Sequence, residues 1–154
     1  MASRKAKTES GTDGSDFSHR ERVATHYTQS VKLKSGLMKV LYCHFALAAG
    51  ALLHIILSLG SEAPLWPWWE VAWISTALSC FMAISSLPKN QINLLSSFAW
   101  FNVLFGIGTC GVGLYSCLAT RNWILAAFCT IASCLHLVEA KYSKNLTSAW
   151  KVRR

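Results

Sequence analysis

The chain has 154 residues, 53% of them hydrophobic and only 14% charged, with a formal net charge of +8. This departs from ordinary globular usage toward the membrane, and the charge is segregated: of 15 Lys and Arg, eight fall at or before Lys39 and five at or after Lys141. Nucleic acid is excluded as the reason for the charge, because basic residues flanking apolar blocks are retained on the cytosolic side of a membrane and no nucleic-acid motif accompanies them.

The amino-terminal stretch Met1–Ser10 is basic and polar and has nothing to bury against the entropy of ordering. Its second residue is Ala2, where myristoylation needs glycine. Ser18-His-Arg-Glu21 fits a capping box and starts a short amphipathic helix over about 19–33. Phe17, Ala24, Tyr27 and Val31 form its thin apolar stripe, with Arg20, Arg22, Lys32 and Lys34 around it. Phe17, Arg20, Arg22, Tyr27 and Val31 would make it a membrane-surface or partner-binding helix; a solvated linker fits these residues equally well.

Leu37–Leu59 carries a single formal charge, Lys39, over 23 residues. At 1.5 Å per residue it covers roughly 34 Å, enough to cross the hydrocarbon core. It follows 36 polar residues and is longer than a signal-peptide core, which makes it an uncleaved signal anchor. A turn at 60–65 leads to a second span, Trp66–Leu87, with Pro67 in its first turn and Pro88 at its end. Trp66, Trp68, Trp69 and Trp73 read as an interfacial aromatic belt. The third span is Ile92–Ala119, and the fourth, Trp123–Ala140, is the shortest in apolar content.

The sequence therefore predicts an all-α integral membrane protein. A basic tail, residues 1–36, precedes a four-helix membrane domain, 37–140, with spans at about 37–59, 66–87, 92–119 and 123–140, and a second basic tail occupies 141–154. With four spans, both tails and the Lys89 turn share one face, which then holds all but one of the Lys and Arg, Arg121 lying opposite. Both termini are expected in the cytosol, so the sequon Asn145-Leu146-Thr147 is expected to stay unused. The lumenal loops are too short to fold a binding domain.

Within the spans, small residues recur at helical spacing: Ala46, Gly50 and His54; Ala72, Thr76, Ser79, Ala83 and Ser86; and Gly106, Cys110, Gly113 and Cys117. Such stripes allow helices to approach closely, here in packing of the bundle, with a homo-oligomer left open. The six cysteines lie in apolar blocks without a CxxC and read as small apolar fillers. His44 and His136 fall at one depth, as do His54 and Glu70, a candidate polar pair in which Glu70 is expected to reach the headgroups. Asn102 is expected to hydrogen-bond a neighbouring helix. There is no GxSxG, HExxH or P-loop, and the glycines of 106–113 lie inside a span rather than after a strand. No catalytic residue, cofactor or metal is expected.

Three segments carry a family resemblance. GTDGSDFSHRERVATHYTQSVKLK, Gly11 to Lys34, resembles the amino-terminal signature of the Jagunal family of endoplasmic reticulum membrane proteins, and SLPKNQI, Ser86 to Ile92, and YSKNLTSAW, Tyr142 to Trp150, are similar to it as well. The resemblance implies a non-enzymatic protein that organises endoplasmic reticulum and supports vesicle-mediated transport in the early secretory pathway. Its implied partners are the lipid bilayer and coatomer or other vesicle-coat machinery. A dilysine retrieval signal wants lysine third from the end, where this chain has Val152, so a degenerate basic tail stands in its place. The alternative is a small membrane-embedded enzyme or transporter using His54, Glu70 and the tryptophans. A tetraspan junctional protein would want a large extracellular loop.

Overall fold

The computed structural model describes residues 15–58 and 68–151, with the backbone alone for 15–24, 26 and 68. They form α1 (Ser15–Ser58), α2 (Trp68–Ile74), α3 (Thr76–Lys89), α4 (Ile92–Phe101), a π-helical turn (Asn102–Gly106), α5 (Ile107–Ala119) and α6 (Trp123–Lys151). Four stretches are long and apolar enough to cross a membrane: Tyr27–Ser58, Trp69–Lys89, Ile92–Ala119 and Trp123–Lys151. Each packs against its neighbours in sequence, and the fourth closes on the first, giving an up-down-up-down bundle.

The first helix differs from the expectation of a surface helix followed by a separate span. α1 is continuous for 44 residues. The join at Lys34-Ser35-Gly36 contains no proline, and Gly36 sits where a Cβ would lie 2.5 Å from the Tyr142 ring, so its missing side chain serves α1–α6 contact. The inward face of α1 is Leu37, Leu41, His44, Ala48, Ala51 and Ile55, at alternating spacings of four and three. Ala46 and Gly50 face outward, and a Cβ on Gly50 would meet nothing within 4 Å. The packing contact expected of them is not made within the bundle, because the true inward stripe runs two residues out of phase with theirs.

The second span is broken at Ser75. Ser75 and Thr76 turn their hydroxyls onto the carbonyls of Ala72 and Trp73, a back-bonding that loosens a helix locally. The expected stripe on this span does face inward, with Thr76, Ser79, Ala83 and Ser86 all buried. Trp69 and Trp73 are also buried, at 2% and 0% exposure, which corrects the aromatic belt. Their phase places them with Thr76 and Ala83 on the bundle face; Trp66 and the side chain of Trp68 lie outside the described residues.

Both described turns are helix stops with a left-handed residue. α3 runs one residue past Pro88, then Asn90 takes φ 50° and Gln91 N–H returns to Ser86 O. After α5, Arg121 takes φ 55° while its own N–H bonds Leu118 O and Asn122 N–H bonds Cys117 O, the paired bonds of a Schellman stop. Asn122 then caps α6, its Oδ1 accepting from Leu125 N–H. In the third span the ladder widens at the π turn, where Ile107 N–H reaches back to Asn102 O. Such bulges are frequent at functional sites.

α6 is 29 residues long and carries the helix well past Ala140, through much of the stretch read as a tail. It persists because Leu146 and Trp150, four apart, bury against Leu37, Leu41, Leu87, Leu95 and Phe98. Trp150 also donates from Nε1 to Ser30 Oγ at 3.1 Å, and Lys34 Nζ lies 5.5 Å from its ring centroid. Two further clusters continue the core along the bundle, one around Trp73, Cys110 and Ala132, the other around Trp69, Cys117 and Cys129.

Candidate functional site: a buried histidine–glutamate cluster

At mid-bundle, three ionisable side chains with no solvent exposure come together: His44 from α1, and His136 and Glu139 from α6. The two histidines meet as their shared depth predicts, ring centroids 5.1 Å apart. Glu139 is the residue that the sequence reading missed. It lies three positions after His136, on the same helical face, and it is the only acidic residue after Glu70. His44 Nδ1 lies 2.7 Å from Glu139 Oε1, and His136 Nδ1 3.2 Å from Glu139 Oε2.

The outer ring nitrogens fix where the protons are. Trp73 Nε1–H can only donate, and it donates to His136 Nε2 at 2.9 Å. His136 is therefore neutral, with its proton on Nδ1 directed at Glu139. Thr76 gives its hydroxyl proton to Trp73 O, so at 3.0 Å it accepts from His44 Nε2–H. One proton remains, on the 2.7 Å line between His44 Nδ1 and Glu139 Oε1. On His44 it makes an imidazolium–carboxylate pair, and on Glu139 a neutral pair. Either way the cluster carries no net charge, which is how a carboxylate is accommodated inside a span.

Packing holds this arrangement rigidly. The Trp73 ring stacks on His44 at 5.3 Å between centroids and meets Phe128 edge-on at 5.1 Å. The π turn brings Gly106 under His136, so close that a Cβ there would lie 2.6 Å from Nε2. Cys80 Sγ sits 3.4 Å from His44 Nδ1. The cluster thus joins α1, the broken second span and α6, while the third span supplies the surface on which His136 rests.

His44, His136 and Glu139 each offer a ligand atom, all within 4.8 Å of one another, a spacing that a transition metal could use. The surrounding donors argue against that use. A histidine that binds metal through one nitrogen presents N–H at the other, and that proton wants an acceptor. His136 Nε2 instead faces the Trp73 N–H. The geometry fits a hydrogen-bonded polar lock.

The remaining sequence-predicted residues are scattered. His54 Nδ1 meets Glu70 Oε2 at 3.2 Å, with Glu70 1% and His54 48% exposed, so Glu70 is folded into the bundle rather than extended to headgroups. Asn102 is buried beside Ser79, whose Oγ is 3.3 Å from its Oδ1, as expected of a helix-bridging amide. Gly106, Cys110 and Gly113 are buried, with Gly113 pressed against Trp69 and Cys129. Tyr27 and Val31 are exposed, and the side chains of Phe17, Arg20 and Arg22 lie outside those described.

Comparison with known proteins gives the setting. Residues 1–125 match the family model described as Jagunal, ER re-organisation during oogenesis. The chain is similar to the human protein jagunal homolog 1, 37% identical over 100 residues that cover 62% of this chain and 55% of the human one. It is similar to the zebrafish jagunal homolog 1-B, 37% identical over 113 residues, covering 70% of this chain and 62% of the relative. The fruit-fly protein jagunal is 26% identical over a gapped alignment of 194 positions that covers 99% of this chain and 96% of its own length. The matches to the vertebrate relatives thus span little more than half of those proteins. On the family-model match over most of its length, this chain belongs to the Jagunal family.

Proposed function

We propose that this protein is a non-enzymatic, multi-pass endoplasmic reticulum membrane protein that supports organisation of that membrane and vesicle-mediated transport, working from a cytosolic face that holds both termini. The observation that carries this reading is a convergence. The three segments that resemble the family, far apart in sequence, meet at one end of the bundle. Ser30 and Lys34 touch Trp150, while Leu87, Ile92, Tyr142 and Leu146 share one core cluster with Leu37 and Leu41. That end also carries the Lys89 turn and the basic last turns of α6.

The interior supports a scaffold more than a reaction centre. Its histidine–glutamate cluster has no solvent exposure and its protons are committed to internal partners, so it ties helices together rather than serving a substrate. Activity then resides in what the basic end presents to lipid and to coat or other cytosolic proteins. Depleting the protein from cells and scoring reticulum morphology and cargo transit tests this. Wild type is expected to restore both, and a variant lacking residues 1–29 to reach the membrane without restoring either. Full rescue by that truncation would contradict the proposal.

A further inference from the structure

A groove of about 490 Å3 opens between α4 and α6 at the basic end of the bundle. One wall is Ser96, Trp100 and Val103; the other includes Lys144, Ser148 and Lys151, with Ala140 toward mid-bundle. The wall positions recur at three- and four-residue spacings on both helices, so each side presents one continuous face. The two helices run antiparallel. Ser96, one turn into α4, therefore faces the Ser148–Lys151 end, and Val103 faces the Ala140 end. Along its length the groove changes from hydroxyls and ammonium groups to an aromatic ring and aliphatic carbon.

Two observations show that its polar end is unsatisfied. Lys144 and Lys151 are exposed, and among the described residues neither is paired with a carboxylate. The carboxylate nearest along α6, Glu139, is enclosed in the cluster described above. Separately, Ser143 lines the groove with no solvent exposure, and its Oγ has no hydrogen-bond partner. Other hydroxyls of this helix, Thr130, Ser133 and Thr147, give their proton to a carbonyl three or four residues back. A buried hydroxyl without an acceptor is unfavourable, and it leaves the α6 wall polar just beneath the groove surface.

We infer that this groove binds one glycerophospholipid with a net negative headgroup. The phosphate lies between Lys144 and Lys151, which stand seven residues and about 10 Å apart along the axis, close enough for two long flexible side chains to converge. The glycerol backbone lies over the α6 wall between Lys144 and Ala140, and an acyl chain follows Trp100 and Val103 toward mid-bundle. Basic pockets between spans at a membrane face are a recurrent solution for such headgroups. The groove has both halves of the amphiphile's chemistry in the right order.

The test is native mass spectrometry of the full chain in detergent, incubated with equimolar phosphatidylcholine and phosphatidylserine. Wild type is expected to retain phosphatidylserine about tenfold over phosphatidylcholine, given two nearby ammonium groups. Lys144→Gln with Lys151→Gln should bring that ratio close to one without lowering the melting temperature, since both side chains are exposed. Lys141→Gln, exposed on the same helix but outside the groove, should leave it unchanged. No preference in wild type, or an equal loss in Lys141→Gln, would overturn the assignment. Displacement of the bound lipid by millimolar inorganic phosphate would overturn it too, marking an anion site that does not hold lipid.

Discussion

Replacing Glu139 separates a lock made of shared protons from one made of obligatory charge. Alanine at this position leaves two buried Nδ1 groups, those of His44 and His136, without the carboxyl partners now 2.7 and 3.2 Å away. Removing one partner of a buried pair is typically worth about 3–5 kcal/mol in soluble proteins. In lipid each interhelical hydrogen bond averages about 0.6 kcal/mol and reaches about 1.7, because the dissociated helices find other partners. Two bonds plus a cavity then amount to about 2–4 kcal/mol, a fall in melting temperature of roughly 5–15 °C for a chain of this size. Glutamine behaves differently. Its amide oxygen accepts from His136 Nδ1–H, and its N–H donates to a neutral His44 that keeps its Nε2–H on Thr76. Both bonds survive, and the expected loss is under about 1 kcal/mol. The assay is thermal unfolding in detergent followed by a thiol-reactive dye, with the exposed Cys43 and Cys134 changed to serine so that only buried thiols report. Equal destabilisation by Gln and Ala would refute the proton assignment, and no shift with Ala would refute the lock.

Gly106→Ala drives a methyl group against the His136 ring and should destabilise the bundle by about 1–3 kcal/mol, whereas Gly50→Ala, with open space around it, should be neutral or stabilising by up to about 1 kcal/mol; equal melting temperatures for the pair would contradict the packing described. An apolar, micelle-permeant maleimide added to the folded protein in detergent should label Cys43 and Cys134 faster than Cys80, Cys110, Cys117 and Cys129, read by peptide mass mapping. Arg121→Gly relieves a left-handed backbone position worth about 1–2 kcal/mol, partly offset by the freer unfolded chain, and should raise the melting temperature by a degree or so with the helix boundaries unchanged.

The four spans were legible in the sequence because apolar length is a direct consequence of bilayer thickness. Helix ends were less so. The fourth span looked short because Glu139, Lys141 and Lys144 interrupt its hydropathy, yet none of them breaks a helix, and Leu146 and Trp150 continue its inward face. The small-residue stripes illustrate a different limit. Spacing identifies residues that share a face but not which way that face points, and in a membrane the outward face is also apolar. Thr76, Ser79 and Ala83 turned inward; Ala46 and Gly50 turned out.

The polar centre was half legible. Counting residues from the shared turns put His44 and His136 at one depth, since each lies a similar distance along its span from the same end of the bundle. Glu139 escapes the reading of intramembrane ionisable residues because it lies one position from the end of the 123–140 span, yet a lone acidic residue three positions from a buried histidine marks their common face. Trp73 was assigned by composition to a belt, and only its phase relative to Thr76 and Ala83 reveals that it points inward, where its N–H fixes the tautomer of His136.

The proposed function rests on which face holds the basic end, and that is open to direct measurement. Epitope tags placed at each end of the full chain, probed by antibody in cells whose plasma membrane alone is permeabilised with digitonin, report the side of each terminus. The account predicts that both tags stain without opening the reticulum membrane and that Asn145 stays unglycosylated. Staining of either tag only after full permeabilisation, or a glycosidase-sensitive mobility shift lost in Asn145→Gln, would contradict it.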